Sequence, residues 1–188
     1  MKINSVLDEI NQDRNLGSSN QCYDAMYTVV RTFQVQTIVE IGTHKGGSSI
    51  TFCQAILDNK KVPKIYSVDS WIQADMKNIA KNNFQKAGFE KYINMIEGDS
   101  QIEIPKLFES IGKVDLIFID GNHEEKAVIA DYNNCKNFSN LIMFHDTSLG
   151  DISYLNLAKE EGWKVFNFPT RYVEGDNHLV GIAVIQRK

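Results

Sequence analysis

The 188-residue chain carries a net charge of −4, with 43% hydrophobic and 23% charged residues, the balance of one ordinary globular domain able to bury a substantial core. Its 20 Lys and Arg residues are scattered, which excludes the basic patch that a DNA- or RNA-binding surface needs. No apolar run approaches a membrane span, and the first residues, MKINSVLDEINQDRN, lack the apolar core of a signal peptide; neither nucleic acid nor membrane is expected as a partner, and the expected setting is cytoplasmic.

In chain order, residues 4–14 are expected to form a short helix with Ser5 as N-cap and Asp8 three residues on. After Gly17-Ser18-Ser19 a second helix runs to about Phe33, with Tyr23, Met26, Tyr27 and Val30 at i, i+3, i+4 and i+7 along one stripe. From Thr37 the pattern alternates strand and helix. The stretch TIVEIGTHKGGSS reads as a buried strand over 37–42, a glycine loop and the start of a helix over 47–58 that buries Ile50, Cys53, Ile56 and Leu57. Glycines in such a loop let the backbone pass close to a ligand, and the helix end offers unpaired N–H groups.

A second strand, Lys64 to Asp69, leads through Trp71 into a helix striped by Met76, Ile79, Ala80 and Phe84. The third strand covers 93–97 and ends in Gly98-Asp99-Ser100. Pro105 is expected in the first turn of the following helix and Gly112 at its end. Strand four, Val114 to Ile119, is apolar as a doubly covered parallel strand should be. A helix from Glu124 to about Phe138 buries Val128, Tyr132 and Cys135. Strand five is Leu141 to Phe144, and Ile152 to Glu161 forms a helix stopped by Gly162. Two last strands, 163–168 and 179–186, have only a polar loop between them, which forces an antiparallel pair at the sheet edge. Cys22, Cys53 and Cys135 are too few and too far apart for a disulfide framework and read as reduced core residues.

The expected fold is therefore α/β, a Rossmann-like, doubly wound, mostly parallel seven-stranded sheet with an antiparallel last strand and helices on both faces. Residues 1–188 read as a single domain, with N-terminal helices over 1–34 and the α/β core over 35–188. Ligands of such sheets bind beyond the carboxyl ends of the strands. Five successive strands end in polar groups: Glu40 and Gly42, Asp69, Asp99-Ser100, Asp120, and His145-Asp146.

The loop spacing, Glu40-x-Gly42-x-x-x-Gly46, departs from the G-x-G-x-x-G of dinucleotide sites. A carboxylate at the strand end repels a pyrophosphate and favours a cationic amino-acid group. This combination resembles the first motif of the class I S-adenosylmethionine-dependent methyltransferases. The resemblance implies S-adenosylmethionine as cofactor, with Glu40, Gly42, Gly46 and Ser48 around its amino-acid part, Glu40 acting directly or through the turn. It further implies Asp69 on both ribose hydroxyls, Asp99 and Ser100 at the adenine amino edge, and Asp120 facing the cofactor. N-terminal helices in that family often cap the substrate side or make an oligomer contact, so a homodimer is an open possibility.

Asp120 and Asp146, at the ends of adjacent strands, can share one divalent cation, since Mg²⁺ is usually held by one or two carboxylates with waters and substrate oxygens. Together with VDLIFIDGNHEEKAVIADY and MFHDT this resembles the metal-dependent O-methyltransferases, among them catechol O-methyltransferase and the small bacterial, methyltransferase 24-like enzymes related to sugar and antibiotic-tailoring enzymes. The expected metal set is Asp120, His145 and Asp146. An imidazole suits Mn²⁺, Zn²⁺ or Fe²⁺ better than Mg²⁺, so either the metal differs or His145 points elsewhere. His123, in Asp-x-x-His, stands where some sugar O-methyltransferases of this group carry a general base; its plainer role is as the N-cap neighbourhood of the next helix. His44 is expected beside the cofactor or exposed, and His178 solvated. Trp71, Phe168 and Tyr172 are candidates for a pocket wall or for core.

The implied activity is metal-assisted O-methylation of a small hydroxylated substrate, a sugar or catechol-like molecule, catalysed by His123, Asp120 and Asp146. An NAD(P)-dependent oxidoreductase is disfavoured by the loop spacing. A catalytically inactive S-adenosylmethionine-binding partner subunit is opposed by the intact run of strand-end acids.

Overall fold

Strand register decides where the site can be, and it follows from the alternation of apolar side chains along each strand. The computed structural model describes residues 7, 20–73, 75–147, 152–169 and 181–187. The strands are β1 (Thr37–Ile41), β2 (Lys64–Asp69), β3 (Ile93–Glu97), β4 (Leu116–Ile119), β5 (Leu141–His145), β6 (Lys164–Pro169) and β7 (Gly181–Gln186). The helices are α1 (Asn20–Phe33), α2 (Gly47–Asp58), α3 (Met76–Ala87), α4 (Ser100–Ile111), α5 (Glu125–Cys135) and α6 (Ser153–Glu160). The seven strands form one sheet in the order β3-β2-β1-β4-β5-β7-β6.

Successive residues of a strand point to opposite faces. Ile38, Leu116 and Phe118 accordingly join the core under α1, α2 and α3, with Met26, Phe52 and Phe84. Val39, Ile117 and Ile119 join the core under α4, α5 and α6, with Phe108, Tyr132 and Leu155. Each such side chain taken fully out of water stabilises the fold by roughly 1.5–3 kcal/mol, and a one-residue slip would exchange the faces. The parallel register then aligns the strand ends: Ile41 pairs with Val68 and Ile119, Asp69 with Glu97, and Ile119 with Phe144. Gly42, Ser70, Gly98, Asp120 and the β5 terminus therefore share one rim.

The final antiparallel pair is at the sheet edge, as expected. Its inner member is β7, which runs antiparallel to both β5 and β6. The stripe on α1 is buried at Tyr23, Met26 and Val30, and all three cysteines are buried thiols outside any disulfide. Pro105 is not in a first turn. The Asp99 carboxylate accepts from the Gln101 N–H at 2.8 Å, so α4 starts at Ser100 and Pro105 sits inside it. β4 begins two residues later than expected, because the Asp115 side chain accepts from the N–H groups of Gln36 (2.9 Å) and Thr37 (2.8 Å) at the foot of the sheet. Of the expected helix over 4–14, only Leu7 is described, and it is helical; Ser5, Asp8 and the polar loop before β7 lie outside the described residues. Among those described, no helix is long and apolar enough to cross a membrane.

Candidate active site

The loop after β1 is held from three sides. Gly42 has φ +89°, and a Cβ there would stand 2.1 Å from the Asp120 carbonyl oxygen, so only glycine fits between the loop and β4. A Cβ on Gly46 would stand 2.2 Å from the Phe84 ring of α3. The glycines thus serve close approach to the protein's own backbone and ring, a tighter constraint than the ligand approach expected from the spacing. Asp69 Oδ2 accepts from the N–H groups of Thr43 and His44, both at 2.8 Å, and Oδ1 accepts from Trp71 N–H at 2.7 Å. With Oδ2 doubly occupied, Asp69 keeps one lone pair on Oδ1, fewer than the bidentate role expected of it would use.

Glu40 lies beneath this loop and is fully buried. Its carboxylate accepts hydrogen bonds from the hydroxyls of Ser48 and Ser49 and from Ser67 at 2.6 Å. Burial pushes its pKa from 4.5 up to about 7, the three hydroxyls work against that rise, and the charge of Asp120 adds to it. Glu40 and Ser48 are thus turned toward each other beneath the turn, so any role of theirs toward a ligand would run through the turn. Beside the loop, His44, Asp69, Ser70, Trp71, Ile72, Gln73 and Met76 line a cleft of about 400 Å³. The Trp71 indole Nε1 is buried there without a hydrogen-bond partner among the described residues.

At the ends of β4 and β5 four polar side chains converge. His123 Nδ1 lies 2.9 Å from Asp146 Oδ2, and its Nε2 lies 3.4 Å from Asp120 Oδ1. His145 Nδ1 lies 3.0 Å from Asp120 Oδ1 and 3.1 Å from Asp146 Oδ1, aimed between the two and aligned with neither. His145 is buried, its side chain 6% exposed, against the edge of Phe118, whereas His123 is 50% exposed. Asp146 holds a left-handed backbone, φ 55°, a strain that persists only where the surroundings impose it. These residues, with Gly121, Asn122, Val128 and Tyr154, line a second cleft of about 350 Å³.

The charges are interlocked. Hydrogen bonds to Asp120 and then Asp146 push His123 up to about 10. Burial works to lower the pKa of His145, but the Asp120 charge together with the side-chain contacts to Asp120, Asp146 and Cys22 outweighs it, and the value rises well above 6.5. Burial works to raise Asp120 and Asp146; the two imidazoles outweigh it and hold both carboxyls below the usual range.

This fold is shared with known proteins. A family model described as "Methyltransferase domain" matches residues 39–147, more than half of the chain. The chain belongs to this methyltransferase family. Among solved structures, the methyltransferase superposes on the O-methyltransferase TomG of Streptomyces achromogenes, in complex with S-adenosylmethionine, with a TM-score of 0.79 at 14% identity, covering 100% of this chain and 91% of that one. The O-methyltransferase of Bacillus cereus in complex with S-adenosylhomocysteine gives a TM-score of 0.76 at 16% identity, covering 97% and 91%. An uncharacterized protein of Sinorhizobium fredii is 27% identical over 134 residues, 64% of this chain. The chain spans less than half the length of the curated relatives it matches, 14% and 43%.

Whether this chain can hold a divalent ion is a question of donor set and spacing. An octahedral ion about 2.1 Å from each ligand sets neighbouring ligand atoms about 3 Å apart. The contacts among Asp120, His123, His145 and Asp146 run from 2.9 to 3.4 Å. Asp120, His123 and Asp146 can each bring one ligand atom within 4.8 Å of the others. The unaligned His145 Nδ1 facing two carboxylate oxygens is a further nitrogen donor. The residues fit such an ion, and His123 stands beside the two acids that would hold it.

Several other assignments are clarified. Asn122 takes the turn-closing role, its Oδ1 accepting from the Glu124 N–H at 2.9 Å, which leaves His123 free for the cleft. Trp71 is buried and lines the first cleft with His44. Phe168 is 53% exposed on β6, away from both clefts' linings; Tyr172 and His178 lie outside the described residues. Asp99 is exposed and caps α4, while Ser100 donates to Asp131, a buried acid of α5 with no role assigned from the sequence.

Proposed function

We propose that this methyltransferase transfers the methyl group of S-adenosylmethionine to a hydroxyl oxygen of a small hydroxylated molecule, of the sugar or catechol kind, with a divalent cation, Mg²⁺ or Mn²⁺, at the rim of β4 and β5. The observation that carries the reading is the convergence of Asp120, His123, His145 and Asp146 in one cleft of a methyltransferase fold. Bound S-adenosylmethionine and S-adenosylhomocysteine in the two O-methyltransferases of the same fold support the donor and the oxygen acceptor.

The amino-acid end of the donor meets the N–H groups of the loop between Gly42 and Ser48, its ribose the open lone pair of Asp69, and its adenine the Ser100 corner. Asp120, Asp146 and His145 Nδ1 would hold the cation, which when bound supplies Lewis acidity and offsets the carboxylate charge. Asp146 Oδ2 keeps the hydrogen of His123 on Nδ1 and leaves Nε2 as proton acceptor. Nε2 takes the proton of the substrate hydroxyl; the oxygen attacks the methyl carbon in line, the carbon–sulfur bond breaks, and its electron pair stays on the thioether sulfur. His123, half exposed, reaches a substrate; His145, buried, supports the carboxylates from within.

Mass spectrometry tests this by following S-adenosylhomocysteine and methylated product over a panel of sugars and catechols with Mg²⁺, Mn²⁺ or EDTA. Cation-dependent product is expected. Binding of NAD in place of S-adenosylmethionine, or turnover untouched by EDTA and by loss of both acids, overturns the donor or the metal role respectively.

A further inference from the structure

The mechanism above makes no use of Asp131, a carboxylate only 1% exposed. It is carried by α5, yet both groups that donate to it open α4. Ser100 Oγ donates at 2.7 Å and Gln101 Nε2 at 2.5 Å, both to Oδ1. Asn134, three residues along α5, donates to Gln101 Oε1 at 3.0 Å and so fixes which way that amide faces. A buried acid bonded in this way holds specific hydrogens in place; an acid needed only for packing would be replaced by an apolar side chain at less cost.

A serine hydroxyl has one hydrogen and two lone pairs. Ser100 gives its hydrogen to Asp131 and takes a long contact from Gln101 Nε2 at 3.5 Å on one lone pair, so toward anything else it presents only a lone pair. Burial raises the Asp131 pKa to about 6, opposed by the Ser100 hydrogen bond, which leaves a carboxylate at neutral pH; it accepts and cannot return a hydrogen to Ser100.

We propose that Asp131 makes the adenosine corner selective for a 6-amino purine over a 6-oxo purine, by holding Ser100 as an obligate hydrogen-bond acceptor. This rests on the reading that Ser100 faces the adenine of the methyl donor. A 6-amino group donates to that Ser100 lone pair. A 6-oxo group sets its own lone pairs against it, and the Ser100 hydrogen that would rescue the contact is committed to Asp131. Asp131 acts through Ser100 and is a positioning residue.

Calorimetric titration of the full chain with S-adenosylhomocysteine and with its deaminated counterpart, S-inosylhomocysteine, tests the inference. The unaltered chain should bind the adenosyl compound at least about tenfold more tightly. In Asp131→Ala the freed hydroxyl can turn and donate, so the ratio should fall toward one. Ser100→Ala removes acceptor and donor together while leaving the buried acid its Gln101 partner; it should lose the ratio by weakening the adenosyl compound alone. Thermal melting shows whether Asp131→Ala is folded, and Ser100→Ala decides if it is not. Equal binding of the two nucleosides by the unaltered chain overturns the inference, as does an unchanged ratio in folded Asp131→Ala or in Ser100→Ala. Binding of neither nucleoside removes the methyl-donor reading itself, and the inference with it.

Discussion

Glu40→Gln isolates the cost of burying a charge under the loop after β1. In the folded chain burial holds this carboxyl at about 7, and in the unfolded chain it returns to its ordinary 4.5. Between those values the folded state binds the extra proton. Stability from this group is therefore fully present below about pH 4.5, falls as pH rises through about 7 and is level above. The separation of about 2.5 units, at about 1.4 kcal/mol each, makes the loss about 3 kcal/mol. Gln keeps the shape and does not titrate; its oxygen can accept from one of the hydroxyls of Ser48, Ser49 and Ser67, and the other two can turn to accept from its two amide hydrogens. Urea unfolding of both chains from pH 5 to 8, in EDTA, measures the difference. Other groups titrate in both chains and cancel, so over this range, which covers about 1.8 of the 2.5 units, the unaltered chain should lose about 2.5 kcal/mol more than the variant. Parallel curves would refute the buried, proton-binding state of Glu40.

Asp120→Ala and Asp146→Ala should each reduce methyl transfer at least about a hundredfold while S-adenosylhomocysteine affinity, measured by calorimetry, stays within a few-fold; loss of nucleoside binding in both would move these acids out of the reaction and into the fold. His123→Ala should cost about a hundredfold or more in kcat with little change in nucleoside binding, and a kcat near that of the unaltered chain would remove the base. Because the carboxylates hold His123 protonated up to about pH 10, cation binding at pH 7–8 should release a proton. Mn²⁺ titration in buffers of different ionisation enthalpy counts it, and His123→Ala should diminish the count.

Much of the fold was legible because strand and helix announce themselves by different periods. The rim was legible because parallel register carries the ends of β1 to β5 to one side. Glu40 was harder to place, since an acid inside an apolar strand reads equally as a ligand group or a buried anchor. Its anchors, Ser48, Ser49 and Ser67, lie on α2 and β2, and only the packed structure joins them to β1. Asp131 left a trace: with Val128, Tyr132 and Cys135 it occupies i, i+3, i+4 and i+7, so a charged residue stood in the stripe that α5 turns toward the core. Pro105 misled because proline favours a first turn, whereas the Asp99 cap sets the helix start five residues earlier. The contact of Gly42 with the Asp120 carbonyl joins residues 78 apart and leaves no local signature.

That last contact ties the donor loop to the acid rim. Gly42 N–H donates to the Val68 carbonyl at 2.9 Å, Asp120 N–H to the Ile41 carbonyl at 2.8 Å, and the two backbones pass with no room for a Cβ. In Gly42→Ala the methyl would meet Asp120 O at 2.1 Å, its carbonyl carbon at 2.5 Å and Gly121 Cα at 2.8 Å, all backbone, so β4 and the loop must part. The positive φ adds about 1 kcal/mol, and the displacement brings the loss to roughly 3 kcal/mol or more. Gly88→Ala supplies the control. Gly88 has φ +76° and nothing within 4 Å of the new methyl, so it bears the conformational cost alone. Gly42→Ala should therefore melt well below Gly88→Ala and lose affinity for both S-adenosylhomocysteine and Mn²⁺, since one displacement moves the loop and Asp120 together. If the two variants melt alike and Gly42→Ala keeps both affinities, the donor loop and the acid rim are independent, and the joint between them carries no function.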